Sequence, residues 1–393
     1  MKVLHININD YMGAGLCCFR INKALQNEGI DSKMLVLHKK SKDSSVYNLN
    51  VHTLFIYKVI NRLLSILPFK TSTTSFLYKV GKQKKTIYSR PTSHIDLSSH
   101  PLVKEADLIH LHWIGGMLDY PTFFSNVDKP IVWTLHDENL FYGVAHYAKD
   151  ILNNDVEKKY YEIKKKSIYK IKKFGVVFLS KLFYETFSQH EMIKNAQKTI
   201  INNSVDTSKF RPINTNSAKQ DLGLDRNTVY LLFIAYDITE TRKGLAKLIK
   251  AVGILNKKIK ILAIGKCNNF TGDANVITLG SINDIKRLRL AISASDYFVM
   301  PSSQEAFAQT PLEAMACGKP AIVFPVSGMD ELITGDNGVI CNGFTVKDLV
   351  DGCKRAFEKE FDSKEIREDI KKRFSPQIIA QKYIDFYQKI LQK

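Results

Sequence analysis

The sequence lacks the features of a membrane-spanning, secreted or zinc-stabilised protein. It has no run of about 18 consecutive apolar residues, the length that a membrane-spanning helix needs. Its N-terminus, MKVLHININD, alternates apolar and polar residues as a strand does and is unlike a signal peptide. Its six cysteines show no Cys-x-x-Cys spacing, so neither a zinc site nor a disulfide framework is indicated. These absences predict a cytoplasmic protein with reduced thiols.

Acidic residues are scarce. The chain has 39 Asp and Glu against 57 Lys and Arg, a net charge of +18, which favours polyanionic partners. Residues 44–95 contain no acid at all, and their Lys and Arg alternate with apolar residues. This pattern is typical of a segment that binds an anionic membrane surface, although a solvated helical subdomain with a buried apolar side explains it equally well. Nucleic acid is not an expected partner, because no recognition motif is present.

The length of 393 residues and the 45% hydrophobic content predict two domains with separate cores. Strand and helix patterns alternate through both halves, beginning with a strand at 2–8, a helix at 16–27 and a strand at 32–37. Apolar runs predict further strands at 106–112, 131–135, 175–179, 229–235, 260–264, 276–279, 297–300 and 321–324. The predicted fold class is therefore α/β, with parallel, doubly wound sheets.

The most informative stretch is 296–325, which predicts a strand, a loop, a helix and a second strand. Thr310 is a suitable N-cap for that helix, and Pro311 suits its first position. The loop after a parallel strand is where open α/β sheets bind ligands, and a helix N-terminus attracts phosphate. Glu305 in this loop and Glu313 in the helix could hold sugar hydroxyls. For Glu313 a capping box with Thr310 is an equally good explanation.

The stretch PSSQEAFAQTPLEAMACGKP, with its Glu-x7-Glu spacing, resembles the nucleotide-sugar site of retaining glycosyltransferases of family 4, which have the GT-B fold. The resemblance implies two Rossmann-like domains facing a cleft and a final helix that crosses back to the first domain. It implies that Glu305 contacts the transferred sugar and that Glu313 accepts hydrogen bonds from the ribose. The remaining donor-binding residues that it implies around this loop are Ala306, Phe307, Ala308 and Thr310.

Two further segments resemble phosphate-binding parts of that family. Arg242 and Lys243 precede a predicted helix, as the family's RKG segment does, and would hold the donor diphosphate. The Gly-Arg that commonly follows the preceding strand is replaced by 235–237, Ala-Tyr-Asp. Gly13 and Gly15 are too few for a dinucleotide fingerprint, but the family often carries a small glycine-rich loop at this place, facing the donor phosphates.

The run IVWTLHDENLFYG resembles a family segment in which a histidine after the strand lines the sugar pocket. His136 would take this role, and a neutral imidazole there can hydrogen-bond a sugar hydroxyl. His110 and His112 alternate with apolar positions, so one of them could point into the expected cleft, but we interpret them first as core or edge histidines bonded to backbone groups. The lysine-rich run 157–173 is interpreted as a solvated helix face.

The segment INNSVDTSKFRP resembles the family's interdomain segment. It predicts an acceptor-side domain over 1–203, with helix 376–393 packing back on it, and a donor-binding domain over 204–375.

The resemblance predicts a retaining hexosyltransferase of cell-surface polysaccharide biosynthesis. It would use a UDP- or GDP-sugar and a saccharide acceptor linked to polyprenyl diphosphate, in the cytoplasm or on the inner face of the cytoplasmic membrane. No cofactor or metal is expected, since the chain has no Asp-x-Asp motif. Two alternatives are a GT-B-like nucleotide-sugar epimerase, which needs no acceptor, and a basic nucleic-acid-binding protein.

Overall fold

A computed structural model describes residues 1–49, 73–84, 86–255 and 258–392. The chain forms two compact units. Unit 1 comprises Met1–Leu179, Tyr184–Ile201 and Ala380–Lys393, and unit 2 comprises Ser180–Phe183 and Asn202–Ile379. Much of the acid-free basic span, residues 50–72 and 85, lies outside the described residues.

Unit 1 contains a seven-stranded sheet in the order β3-β2-β1-β4-β5-β6-β7, and every pairing is parallel. Its strands are β1 Lys2–Asn9, β2 Asp31–His38, β3 Val46–Asn48, β4 Leu108–Leu111, β5 Ile131–Leu135, β6 Phe174–Phe178 and β7 Gln197–Ile200. Among the described residues of this part of the chain, the helices are α1 Gly13–Asn27, α2 Thr73–Lys84, α3 Pro101–Glu105, α4 Tyr120–Asn126, α5 Asp155–Ile168 and α6 Lys181–Phe187.

Unit 2 contains a six-stranded sheet, also parallel throughout, in the order β10-β9-β8-β11-β12-β13. Its strands are β8 Val229–Asp237, β9 Ile259–Lys266, β10 Val276–Gly280, β11 Tyr297–Met300, β12 Ala321–Val323 and β13 Gly338–Ile340. The helices that follow α6 are α7 Thr215–Asp221, α8 Leu245–Ile254, α9 Ile285–Ala294, α10 Gln309–Ala316, α11 Met329–Leu332, α12 Val346–Phe357, α13 Ser363–Phe374 and α14 Pro376–Gln392. Short 3-10 turns lie at 139–141, 148–150, 191–193 and 241–243.

Helix α1 begins three residues earlier than predicted, so Gly13 and Gly15 lie in its first turn and not in the loop before it. Gly15 is required by close packing, because a Cβ there would lie 2.2 Å from Oδ1 of Asn9. That oxygen also accepts hydrogen bonds from the backbone of Tyr11 and Met12. The predicted glycine-rich loop is therefore wrong: a tight turn leads from β1 into α1, and both glycines already belong to the helix.

Helix α14 is amphipathic as predicted, and most of it packs within unit 1. Its residues Tyr383, Phe386, Tyr387 and Ile390 are buried. Gly175 in β6 lets the helix approach, because a Cβ there would lie 2.9 Å from side-chain atoms of Phe386 and Ile390. Apolar burial of this face provides the main stabilisation of the contact.

The lysine-rich helix α5 is only partly solvated. Lys164 is completely buried, and its Nζ donates hydrogen bonds to the Tyr142 carbonyl oxygen at 2.8 Å and to Oδ1 of Asn139 at 3.0 Å. Burial lowers the pKa of Lys164 to about 7. The interpretation of this run as a solvated face is therefore wrong at Lys164, since composition does not show which lysine of a helix faces inward. No helix of the described ranges has the length and apolarity to cross a bilayer.

Candidate active-site residues

In unit 2, the loops after β8 and β11 bring Lys243, Arg242 and Glu305 together. The two strands are neighbours, so their carboxyl ends lie at the same edge of the sheet. Nζ of Lys243 lies 2.6 Å from Oε1 of Glu305, and Nη1 of Arg242 lies 3.5 Å from the same oxygen. Arg242 also donates to the Gln304 carbonyl oxygen at 2.6 Å, which fixes the guanidinium against the β11 loop.

Glu305 is ionised at neutral pH. Burial alone would raise its pKa, but Lys243 and Arg242 outweigh burial and hold the pKa of Glu305 below its ordinary value. Between the two loops, Gly244 has φ +83°, and a Cβ there would lie 2.2 Å from the Pro301 carbonyl oxygen. Only glycine permits this approach, so Gly244 holds the basic pair beside the carboxylate.

Helix α10 begins at Gln309, and its N-cap is Ala308, which makes no side-chain cap. Thr310 is therefore the second residue of the helix and Pro311 the third, so the predicted N-cap at Thr310 is wrong. The capping-box explanation of Glu313 is also wrong, because Glu313 is the fifth helical residue and a capping box needs the third. Glu313 is only 5% exposed.

The loop before α10 is shaped by packing. Phe307 is buried and lies against Phe374, with ring centroids 6.0 Å apart. A Cβ on Gly328 would lie 2.4 Å from the Phe307 ring. Ala306 precedes this ring, and Ala308, also buried, follows it. With Phe307 packed away, the loop can offer a ligand backbone groups and the Glu305 carboxylate.

In unit 1, His136 follows β5 and is linked to two other histidines. Its Nε2 lies 3.0 Å from Nδ1 of His112, and Nε2 of His112 lies 3.0 Å from Nδ1 of His5. Burial lowers the pKa of His136 to about 4, against an opposing effect of Asp137, and the pKa of His5 to about 3. These imidazoles are therefore neutral at pH 7.

His110 and His112 are core residues as interpreted, but their ring partners are side chains and not backbone groups. His110 lies 2.8 Å from Oγ1 of Thr134 and 2.6 Å from the hydroxyl of Tyr387. Sequence reasoning missed His5, because its place in the alternating polar and apolar pattern of β1 is that of an ordinary strand residue.

Asp137, also missed, is held by three donors. Its carboxylate accepts from Nε1 of Trp113 at 2.7 Å and from the backbone of Asn139 at 2.9 Å, and it lies 2.6 Å from Nδ1 of His146. The other ring nitrogen of His146 lies 2.8 Å from the Ser89 hydroxyl. A cavity of about 20 Å³ adjoins this group, with His136 and Asp137 in its lining. It has room for a water molecule and not for a sugar ring.

Gly13 and Gly15, which were predicted to face the donor phosphates, lie in the first turn of α1, the helix that follows β1. A Cβ on Gly13 would meet no atom within 4 Å among the residues that the structure describes. The strand neighbours of β1 place this turn at the same edge of the unit 1 sheet as the end of β4.

Comparison with known proteins finds a family match in the second half of the chain. Residues 214–373 match the family model of glycosyl transferases group 1. This part of the chain is similar to a group 1 glycosyltransferase domain. The resemblance to family 4 glycosyltransferases is thereby confirmed, and the match contains Arg242, Lys243, Glu305 and Glu313.

Curated relatives agree with this assignment. The chain is 27% identical over 208 residues, or 48% of its length and 53% of the relative's, to an N,N'-diacetylbacillosaminyl-diphospho-undecaprenol alpha-1,3-N-acetylgalactosaminyltransferase of Campylobacter jejuni. It is 22% identical over 325 residues, 75% of the chain and 78% of the relative, to the putative colanic acid biosynthesis glycosyl transferase WcaC of Escherichia coli K12. The chain matches about half of the length of the first curated relatives.

Solved structures confirm the fold. The Anabaena protein HepE in complex with UDP and glucose aligns with a TM-score of 0.67 at 16% identity, covering 99% of both chains. The chain therefore has the two-domain α/β GT-B fold that the sequence predicted.

Proposed function

We propose that this protein transfers a sugar from a nucleoside diphosphate sugar to a saccharide acceptor, with retention of the anomeric configuration and without a metal ion. The observation that carries the proposal is the group formed by Lys243, Arg242 and Glu305 at the carboxyl edge of the unit 2 sheet. It combines two cations for a diphosphate with a carboxylate for sugar hydroxyls.

Lys243 retains the capacity to bind phosphate while it is paired. An ammonium group has three N–H donors, and within the described residues Lys243 uses one of them, toward Glu305. Its side chain is 21% exposed, so the other donors are accessible. In the proposed complex these donors and Arg242 stabilise the departing diphosphate, which itself takes the proton of the acceptor on the same face. Glu305 orients the sugar and needs no covalent step.

Unit 1 is proposed to bind the acceptor, and His136 is proposed to hydrogen-bond a sugar hydroxyl. The Campylobacter relative is named for a diphospho-undecaprenol substrate, and HepE was solved with UDP and glucose. These names support a polyprenyl-diphosphate-linked saccharide as acceptor and a UDP-sugar, with GDP as the second candidate, as donor.

We propose that the protein acts at an anionic membrane surface. Helix α2 carries the exposed residues Lys79, Lys82 and Lys84, while Leu77 on the same helix is buried. Each basic residue near an anionic surface contributes about 1 kcal/mol of attraction, so a few suffice for peripheral binding. A surface of this kind would bring the protein to a lipid-linked acceptor at the inner face of the cytoplasmic membrane.

The proposal is tested by titrating UDP and GDP into the wild type, Lys243→Ala and Arg211→Ala in a calorimeter. Both variants lose one positive charge, but Arg211 is exposed and lies before α7. We expect Lys243→Ala to weaken diphosphate binding about 10-fold, about 1.4 kcal/mol, and Arg211→Ala to leave it nearly unchanged. Equal effects of the two changes would contradict a phosphate site at Lys243.

A further inference from the structure

Two buried histidines of unit 1, His5 and His112, and the partly exposed His136 form a continuous chain of hydrogen bonds that ends at this candidate sugar-binding residue. It runs from Nδ1 of His5 to Nε2 of His112, and from Nδ1 of His112 to Nε2 of His136, with both distances 3.0 Å. His5 and His112 are 0% and 2% exposed. We call these three residues the imidazole chain.

The imidazole chain can carry its hydrogens in only two ways. A neutral imidazole has one N–H donor and one acceptor nitrogen. Burial lowers the pKa of His112, as it does those of its two neighbours, so each ring holds a single hydrogen at pH 7. Either every ring of the chain carries its hydrogen on Nδ1, or every ring carries it on Nε2.

The far end of the imidazole chain distinguishes the two arrangements. Nε2 of His5 is buried and has no hydrogen-bond partner in the described part of the molecule. With hydrogens on Nε2, this atom would be a buried N–H without an acceptor, which is the rarer kind of unsatisfied group in folded proteins. With hydrogens on Nδ1, Nε2 of His5 is instead a buried acceptor nitrogen that receives no hydrogen bond. The geometry therefore favours hydrogens on Nδ1 throughout.

A metal ion explains the cluster less well. Ring nitrogens of His5, His110 and His112 lie within 4.8 Å of one another, as three ligands of an ion could. However, both nitrogens of His110 are engaged by Thr134 and Tyr387, and both nitrogens of His112 belong to the imidazole chain. An ion would have to break these bonds.

We propose that His5 and His112 are positioning residues that fix His136 as the Nδ1–H tautomer, so that His136 donates a hydrogen bond to an oxygen of the bound sugar. No residue among those described accepts a hydrogen bond from Nδ1 of His136, whose Nε2 is occupied by His112. His136 is then a hydrogen-bond donor and does not accept the proton of the acceptor hydroxyl. This inference rests on the proposed function, because that function supplies the sugar.

The tautomer is measured directly on the free, full-length protein. Nitrogen–proton correlation spectra of protein labelled in histidine report which ring nitrogen carries the hydrogen, and the signals that vanish in His136→Asn belong to His136. We expect Nδ1–H at pH 7 in the wild type. In His5→Leu, which removes the first donor, we expect His136 to populate both tautomers.

Tyr387→Phe is the matched control, since it removes a buried hydroxyl that bonds His110 and leaves the imidazole chain intact. It should lower stability without changing the His136 tautomer. An Nε2–H tautomer in the wild type, or a tautomer that is unchanged in folded His5→Leu, would overturn the positioning role of His5.

Turnover tests the donor role separately. The amide nitrogen of asparagine occupies nearly the place of Nδ1, so His136→Asn should keep turnover within about 10-fold of the wild type, whereas His136→Leu should lose at least about 10-fold more. If the tautomer is Nδ1–H and both variants turn over like the wild type, the sugar contact of His136 is wrong. If Lys243→Ala binds UDP and GDP like the wild type, the proposed donor site fails, while the tautomer result stands.

Discussion

The two units build their candidate sites from opposite chemistry. All ten histidines of the chain lie between His5 and His190, and Asn202–Ile379 of unit 2 contains none. Unit 1 relies on neutral, buried imidazoles joined by directional hydrogen bonds. Unit 2 relies on a partly exposed ionic group around Glu305. Damage to the buried imidazoles of His5 and His112 should therefore appear chiefly in stability, and damage to the ionic group of unit 2 chiefly in ligand binding and turnover.

Acid should have the largest effect on the protein, by destabilising unit 1. Burial lowers the pKa of His5 from 6.5 to about 3, so the unfolded chain takes up a proton at higher pH than the folded chain does. Stability is therefore highest above about pH 6.5 and falls as the pH drops toward about 3, by at most about 5 kcal/mol from this residue.

Tryptophan fluorescence measures this loss selectively, because Trp113 and Trp133 both belong to unit 1. Denaturant midpoints followed between pH 7 and pH 4 should decline steeply in the wild type and less steeply in His5→Leu. His94→Gln, which changes an exposed histidine, should follow the wild type. Identical slopes for all three proteins would show that the buried histidine does not control acid stability.

Most strands of both units were predictable because parallel strands buried on both faces are continuous apolar runs, but β3, β7 and β13 were not predicted. The run at 131–135 and that at 297–300 match β5 and β11 residue for residue. Helix starts were harder. The α10 start was misplaced because Thr310-Pro311 is a good local cap signal, while the position of the loop is decided by the burial of Phe307 against Phe374 and Gly328.

Within the candidate sites, the sequence identified single residues and not their partners. Lys243 and Glu305 were each predicted to bind the donor, but their ion pair depends on the adjacency of β8 and β11, which are 60 residues apart in the chain. The imidazole chain likewise joins β1 to the residues that directly follow β4 and β5. Such contacts follow from strand order, which local patterns do not specify.

In unit 2, loss of the Glu305 carboxylate should affect turnover and not nucleotide binding. Glu305→Ala should reduce turnover about 10-fold or more, about 1.4 kcal/mol, because the sugar loses its orienting carboxylate. It should not weaken binding of the nucleoside diphosphate, because removal of Glu305 frees Lys243 for phosphate. Steady-state turnover and calorimetry on the same preparation measure both quantities.

Glu240→Ala is the control for this change. Glu240 pairs with Arg242 at 2.8 Å, so its removal alters the same charged group but takes away no proposed sugar contact. We expect near wild-type turnover for it. Wild-type turnover in Glu305→Ala would remove Glu305 from the site.

The smallest expected effect concerns the membrane surface. Charge reversal of Lys79, Lys82 and Lys84 to Glu should abolish flotation with anionic liposomes at low salt, and neutral liposomes should not bind the wild type. Binding should weaken as salt rises, since the Debye length falls from about 10 Å at 0.1 M to about 3 Å at 1 M.

Reversal of three exposed lysines of unit 2, Lys354, Lys364 and Lys372, makes the same change in net charge and serves as the control. Equal losses in both triple variants would show that net charge, and not α2, governs binding. If the wild type ignores anionic liposomes even at low salt, the membrane proposal is wrong and the basic span belongs to a solvated subdomain.

The most direct test of the central claim is a transfer reaction followed by proton NMR. Full-length protein is incubated with α-linked UDP- and GDP-sugars, with and without polyprenyl-diphosphate-linked saccharides. Nucleoside diphosphate should appear only when a suitable acceptor is present, and the new glycosidic bond should show the small anomeric coupling of an α-hexosyl linkage. Release of nucleotide from the donor alone, with an epimerised sugar, or a product of inverted configuration would contradict the proposed function.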